Sequence, residues 1–140
     1  RMTTLYYFAQ ANNALVVGTG NKVEDFGVGF YTKYGDGGVD ISPIADLLKT
    51  EVYCLGKELG VHQEILAAAP SDGLWGDEKT DEDQIGATYP ELEWAMAFSE
   101  DKKNLRERER EVLDIYTKFN KDNQHKMQEI PICKIPKNLK

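Results

Sequence analysis

Three observations predict an α/β fold. The apolar run Ala14-Leu15-Val16-Val17 has no alternating polar residue, which suits a strand covered on both faces in a parallel sheet. Just before it, Met2, Leu5, Tyr6 and Ala9 recur at helical spacing. Just after it, Gly18-Thr19-Gly20-Asn21 leaves the strand at its carboxyl end, where open α/β sheets bind ligands.

Asn12-Asn13 close the first helix, and the order so far is helix, turn, buried strand. Residues 22–30 read as a short helix and 31–43 as a loop, with Ser42-Pro43 suited to start a helical turn. Leu48, Val52, Leu55 and Leu59 predict a packed helix that Gly60 is placed to stop. A short second helix runs from Gln63 to Ala69, with His62 at the start of that surface element. Pro70 to Asp83 is an acidic loop whose end, Thr80-Asp81-Glu82-Asp83, has a capping hydroxyl and acids that favour a helix dipole. Thr88-Tyr89-Pro90-Glu91 repeats the capping pattern ahead of Leu92, Trp94, Ala95 and Phe98. From Glu100 to Phe119 mixed charges flank a seam of Leu105, Val112, Tyr116 and Phe119, which predicts a long amphipathic helix. The tail from Asn120 is polar and basic, and Pro131 and Pro136 resist regular structure.

At 140 residues the chain fits one domain with a real core. Its 17 Lys and Arg against 24 Asp and Glu give a net charge of -7, which argues against nonspecific binding to nucleic acid or an anionic membrane. Any anion has to be held by local groups. Cys54 and Cys133 lie far apart, with no disulfide framework and no zinc-ligand spacing. With neither a signal peptide nor a long apolar run in view, the cytoplasm is the simplest compartment. The chain opens on RMTTLYYFAQ with no initiator methionine at position 1, so a fragment is expected.

Two stretches hold groups suited to chemistry. Thr19, Asn21, Lys22 and Glu24 follow the strand. A hydroxyl there suits a nucleotide and a carboxylate suits magnesium, a hard cation that prefers oxygen, yet the same residues suit a plain helix cap. Gly35, Gly37 and Gly38 let backbone amides approach an anion, with Lys33 and Lys49 flanking as cations, and a flexible turn explains them equally well. The stretch is neither a Walker A loop nor a GxGxxG fingerprint. No histidine lies near either cysteine in sequence and no serine sits in a nucleophile elbow, so nothing supports nucleophilic catalysis. His125-Lys126 reads as part of a solvated, mobile terminus. The acids between Asp72 and Asp83 lack the spacing of an EF-hand, and Trp75 and Trp94 read as core or interface groups.

RMTTLY, VVGTGNKVED, GFYTKYGDGGVDISPIADLLKTEVY, LAAAPSDGLW and DEDQIGATYPELEWAM follow one another as they do in bacterial NAD synthetases, which this chain resembles from residue 1 to about 98. The distal helix and tail match chiefly through His125-Lys126. The resemblance implies a Rossmann-like α/β fold of the adenine nucleotide alpha hydrolase or ATP pyrophosphatase type, helix-rich in its carboxyl-terminal half. It implies a ligase that activates the nicotinic acid carboxylate of deamido-NAD with ATP and magnesium and lets ammonia displace AMP. By position, Thr19 and Lys49 match ATP contacts, Glu24 a magnesium ligand, and Lys33 and Asp40 deamido-NAD contacts. His125 and Lys126 match a tail that closes over deamido-NAD, and Ser71 stands where the family often has a threonine touching ATP.

Such relatives are homodimers, and the KYGDGG form of the loop leans toward the ammonia-using type without a glutaminase domain. The family's SGGxDS pyrophosphate loop, with a second magnesium-ligating aspartate, lies upstream of RMTTLY, and an arginine contacting deamido-NAD falls just before Arg1. Residues 1–140 are therefore expected to be the carboxyl-terminal portion of one synthetase domain, unable to turn over alone. Two rival readings are a nucleotide-binding fragment without catalysis and an α-rich module that dimerises through the 105–119 seam.

Overall fold

The computed structural model describes residues 1–71, 73 and 79–140. Trp75 and the acids Asp72, Asp77 and Glu78 lie outside the described residues. Seven α-helices are placed among them, and no extended strand.

Helix α1, Met2–Ala11, ends at Asn12, and Asn13 takes a left-handed turn at φ 51°. It buries no side chain fully, and Leu5, Tyr7 and Phe8 are exposed. The apolar run that follows differs from the expected two-sided strand. Val16 is buried, but Leu15 and Val17 are 64% and 55% exposed, and pairing consists of one isolated parallel bridge, Val17 to Ile41. A parallel strand needs a neighbour on each edge to be enclosed, and among the described residues Val17 meets one. The bridge is tied by Gly18 N–H to the Ile41 carbonyl (2.7 Å) and Asp40 N–H to the Val16 carbonyl (2.9 Å).

The expected helix over 22–30 is a π-helical turn, Val23–Val28. Asn21, buried to 1% exposure, accepts from the Val23 and Glu24 amides at 3.0 and 3.1 Å and so satisfies orphan donors at its start. Gly29, at φ 63°, ends it in the left-handed conformation. Residues 31–43 form turns and loop, as expected.

Helix α2, Lys49–Glu58, starts where the Leu48 amide donates to Glu51 (2.8 Å) and stops before Gly60 at φ 72°. The helix expected to be packed buries no side chain fully, and Leu55 and Leu59 are exposed. Its periodicity was legible, but what covers its apolar face was not. Helix α3, Gln63–Ala67, begins with His62 accepting from the Glu64 amide.

Helices α4 (Asp81–Ile85) and α5 (Tyr89–Ala97) open with the two capping boxes the sequence predicts. Thr80 pairs reciprocally with Asp83, and Thr88 with Glu91. Glu91 then takes Arg108 in a fork, Nε and Nη2 each donating at 2.8 Å. The Arg108 bonds, with the Thr88 bonds, hold the Glu91 carboxyl down to about 2. A depressed carboxylate contributes stability above its unfolded pKa near ~4.3, and that contribution is lost as pH falls toward the folded value. Glu91→Gln is expected to cost about 1–2 kcal/mol at pH 7, since it weakens a cap and a partly exposed pair. Urea unfolding should show the difference from the parent shrinking as the pH is taken to 2.5.

Helix α6, Glu107–Asp122, begins seven residues later than the charge pattern suggested, after a 3-10 turn, Lys102–Asn104. Asp101 caps that turn, and Arg106 is extended, so the helical run breaks between Glu100 and Glu107. Its seam faces inward. Val112 and Leu113 are buried with Val23, Val28, Ile85, Ala87, Tyr89, Leu92 and Ala95, while Leu105, Tyr116 and Phe119 pack against them. The seam packs against this core, which counts against reading it as a free dimerisation surface. Trp94 also packs against the core. Helix α7, Gln124–Met127, follows at once, and beyond Gln128 the tail is exposed, with a 3-10 turn at Lys137–Leu139. Among the described residues no helix is long and apolar enough to cross a membrane.

Candidate functional site

Glu24 and Lys49 form the centre. They come from the π-helical turn and from the first residue of α2, and Lys49 Nζ meets Glu24 Oε1 at 2.8 Å. Both side chains are largely buried, 18% and 16% exposed. Tyr89 joins them from the first turn of α5: its hydroxyl donates to the same Oε1 at 2.6 Å, and its ring lies 4.7 Å below the Lys49 ammonium. Asp81 Oδ2 lies 3.3 Å from that hydroxyl. Burial, then the charge of Glu24, hold the Tyr89 phenol far above its ordinary range, so it stays a donor. Beside it, Thr50 gives its amide and hydroxyl to Glu93 at 2.9 and 2.8 Å, fixing the first turn of α2 on α5.

This cluster borders a cavity of about 330 Å³ lined by Lys49, Thr50, Tyr53, Leu66, Tyr89 and Pro90, among others. A larger hollow of about 530 Å³ between Lys102, Lys103 and Arg110 contains none of the residues singled out from the sequence. The smaller cavity is therefore the candidate site.

Ser71 follows Pro70 on the cavity wall and bonds its own loop, accepting from Gly73 N–H (3.2 Å) and donating to the Lys79 carbonyl (3.4 Å). Thr19 is exposed at the exit from the apolar run, ahead of the cap that Asn21 provides. Next to Glu24, Asp25 lies against Gly20 so closely that a Cβ there would come 2.2 Å from its Oδ1. Burial, with the charges of Glu24 and Asp36, pushes the Asp25 carboxyl up to about 6.

Lys33, His125 and Lys126 meet elsewhere. Lys33 Nζ donates to the His125 carbonyl, and Lys126 Nζ donates to the carbonyls of Gly29 (2.9 Å) and Tyr31 (2.7 Å). Asn120 and Asn123 extend the row, donating to Gly27 (2.7 Å) and Val28 (2.9 Å). Donors three residues apart on α6 and α7 thus satisfy successive carbonyls at the end of the π-helical turn, and a cation suits that helix end. The expected solvated terminus is docked at His125-Lys126, because its donors find main-chain acceptors. Burial lowers the Lys126 ammonium, an effect that Asp36 opposes. Asp40 is occupied by the amino-terminal segment, accepting from Tyr6 OH (3.0 Å) and Val16 N–H (2.8 Å).

Sequence reasoning missed Tyr89, Asp81, Asn120 and Asn123. Tyr89 was visible as a capping-pattern residue, and Asn120 and Asn123 as a three-residue repeat in a polar tail. Nothing local said what they touch.

For a cation, the donor chemistry at Glu24 is suitable. Among the described residues no group of three or more His, Cys, Asp and Glu is placed to hold a metal. Glu24 and Asp81 offer oxygen only, which fits magnesium held by one or two carboxylates together with phosphates and water.

Comparison with known proteins identifies the family. A family model for NAD synthase matches residues 1–130. The NH(3)-dependent NAD(+) synthetase of Syntrophomonas wolfei is 44% identical over 140 residues, covering 100% of this chain and 53% of that protein. The synthetase of the same description from Carboxydothermus hydrogenoformans is 41% identical over 134 residues, 94% of this chain and 51% of its own length. A solved NMN synthetase from Francisella tularensis superposes with a TM-score of 0.82 at 37% identity, over 96% of this chain and 53% of that one. The chain spans about half the length of the curated relatives it matches. With the family model covering 130 of its 140 residues, the chain belongs to the NAD synthase family.

Proposed function

We propose that the chain supplies one side of the site of an ATP- and magnesium-dependent ligase that converts deamido-NAD and ammonia to NAD. The observation that carries the reading is the buried Lys49–Glu24 pair on the Tyr89 hydroxyl, beside a cavity, in a chain that a family model for NAD synthase matches. In the reaction, the nicotinic acid carboxylate attacks the α-phosphate of ATP and pyrophosphate leaves. Ammonia then attacks the acyl adenylate, AMP departs with its electron pair, and the attacking nitrogen loses a proton.

Lys49 neutralises phosphate charge, with Thr19 and Ser71 offering hydroxyls to the nucleotide. Glu24 is the magnesium ligand, and the metal when bound offsets the charge of the leaving pyrophosphate. Lys33, Asp40, His125 and Lys126 hold deamido-NAD, Lys126 by keeping the 29–31 backbone closed as well as by its charge. Positioning and electrostatics suffice for such chemistry, which uses no protein nucleophile. The whole enzyme is a Rossmann-like homodimer of the cytoplasm, and residues 1–140 are the carboxyl-terminal portion of its single catalytic domain.

A second reading has support from the NMN synthetase superposition: the acceptor is the corresponding mononucleotide rather than the dinucleotide. Full-length protein given ATP, magnesium and ammonia should form NAD from deamido-NAD faster than NMN from the nicotinate mononucleotide, and the reverse preference would select the second reading. The 140-residue polypeptide assayed alone is expected to be inactive, and turnover by it would overturn the assignment to one side of a site. Nucleotide binding without turnover in the full-length protein would favour a binding module instead.

A further inference from the structure

We propose that Tyr89 is a positioning residue for Glu24, holding the carboxylate in place when Lys49 turns from it to the phosphates of the nucleotide. The inference rests on the roles given above to Glu24 and Lys49.

Among the described residues Glu24 Oε1 has two donors, Lys49 Nζ at 2.8 Å and Tyr89 OH at 2.6 Å. They differ in kind. Lys49 is a point charge on a flexible stem, suited to change partners. Tyr89 is anchored: 3% exposed in the core, its amide bonded to Glu82 Oε1 at 2.8 Å, and seated between the Thr88 cap and Pro90. Among the described residues Glu24 Oε2 has one looser partner, the Asn21 amide at 3.3 Å. Fixing one oxygen from the core and leaving the other lightly held is the arrangement that orients a metal-ligating carboxylate. Without Tyr89, departure of Lys49 would leave Glu24 held by that one long contact, free to change rotamer and lose its alignment.

A tyrosine that merely fills space predicts something different. Tyr89→Phe keeps the ring, the core volume and the stacking under Lys49, and removes one hydroxyl. On full-length protein, Mn²⁺ serves as the probe, since it shares magnesium's preference for oxygen. Y89F is expected to bind Mn²⁺ about tenfold more weakly than the parent, within the range for losing a partner behind a ligand. Its affinity for ATP measured in EDTA should stay within twofold, and kcat should fall while KM for deamido-NAD holds.

E24Q is the control that separates the two levels. If E24Q loses Mn²⁺ binding and Y89F keeps it, Tyr89 has no positioning role. If E24Q itself keeps Mn²⁺ binding, the metal role of Glu24 fails and takes the inference with it. Equal loss of Mn²⁺ and metal-free ATP binding in Y89F means a packing role and also overturns the proposal. A second measurement needs no variant to fold well: with ring-labelled tyrosine in the parent, Mg²⁺ should shift one buried tyrosine Cζ resonance, and its failure to move any counts against the proposal.

Discussion

Lys49→Met is expected to remove nucleotide affinity in the full-length protein and to lower kcat/KM about 10²–10³-fold, the scale of losing one preorganised charge from a water-poor site. The same change should destabilise the fold by up to about 3 kcal/mol, because Glu24 is left as a largely buried carboxylate without its cation. Adding Glu24→Gln to it should restore much of the stability and none of the activity, since the second change removes the stranded charge without replacing the proposed phosphate contact. Urea unfolding and calorimetric titration with ATP read the two effects separately. Retained nucleotide affinity in K49M would show that the cavity beside Tyr89 is not the phosphate site.

Gly29→Ala should be the most damaging small substitution at the joint between the two ends of the chain. Gly29 sits at φ 63°, where an added side chain costs about 1–2 kcal/mol by itself. A Cβ there would also come 2.5 Å from Asn123 Cβ and 2.8 Å from Met127 Cε. Asn123 Cβ is fixed to the main chain at the cap between α6 and α7 and cannot swing aside, so that junction must move. A total loss of about 3 kcal/mol or more is expected, with strain added to overpacking. Hydrogen exchange should quicken through 120–128, and deamido-NAD affinity should fall as Lys33, His125 and Lys126 lose their common seat. Unchanged exchange there would mean that the joint does not hold these residues.

What was legible in the sequence was what is local. Thr80 and Thr88 announce helix starts because a capping box closes within four residues, and Leu105, Val112, Tyr116 and Phe119 announce a face because helical periodicity repeats. Gly60 marks its helix end for the same reason. The family motifs also drew Glu24 and Lys49 into one site, although 25 residues separate them. The tertiary choices were not legible. Tyr89 reaches Glu24 across 65 residues, and no property of TYPE in sequence points there. Leu15 and Val17 read as buried because they are apolar, but burial depends on a neighbour, and among the described residues Val17 pairs with Ile41 alone. Lys126 read as solvated because its acceptors, the carbonyls of Gly29 and Tyr31, belong to the main chain and leave no trace in residue identity.

That last contact has a consequence for how the protein tolerates change. Where α6 and α7 meet residues 27–31, one partner contributes side chains and the other contributes peptide groups. Every residue presents the same carbonyl, so the receiving strip keeps its half of the bargain whatever side chain it carries, provided the path of its backbone is kept. Asn120, Asn123 and Lys126 have no such freedom, for each must place a donor at one spot. Random mutagenesis should therefore find the joint brittle at Asn120, Asn123 and Lys126, and on the receiving strip brittle only where the backbone path depends on the residue, as at Gly29.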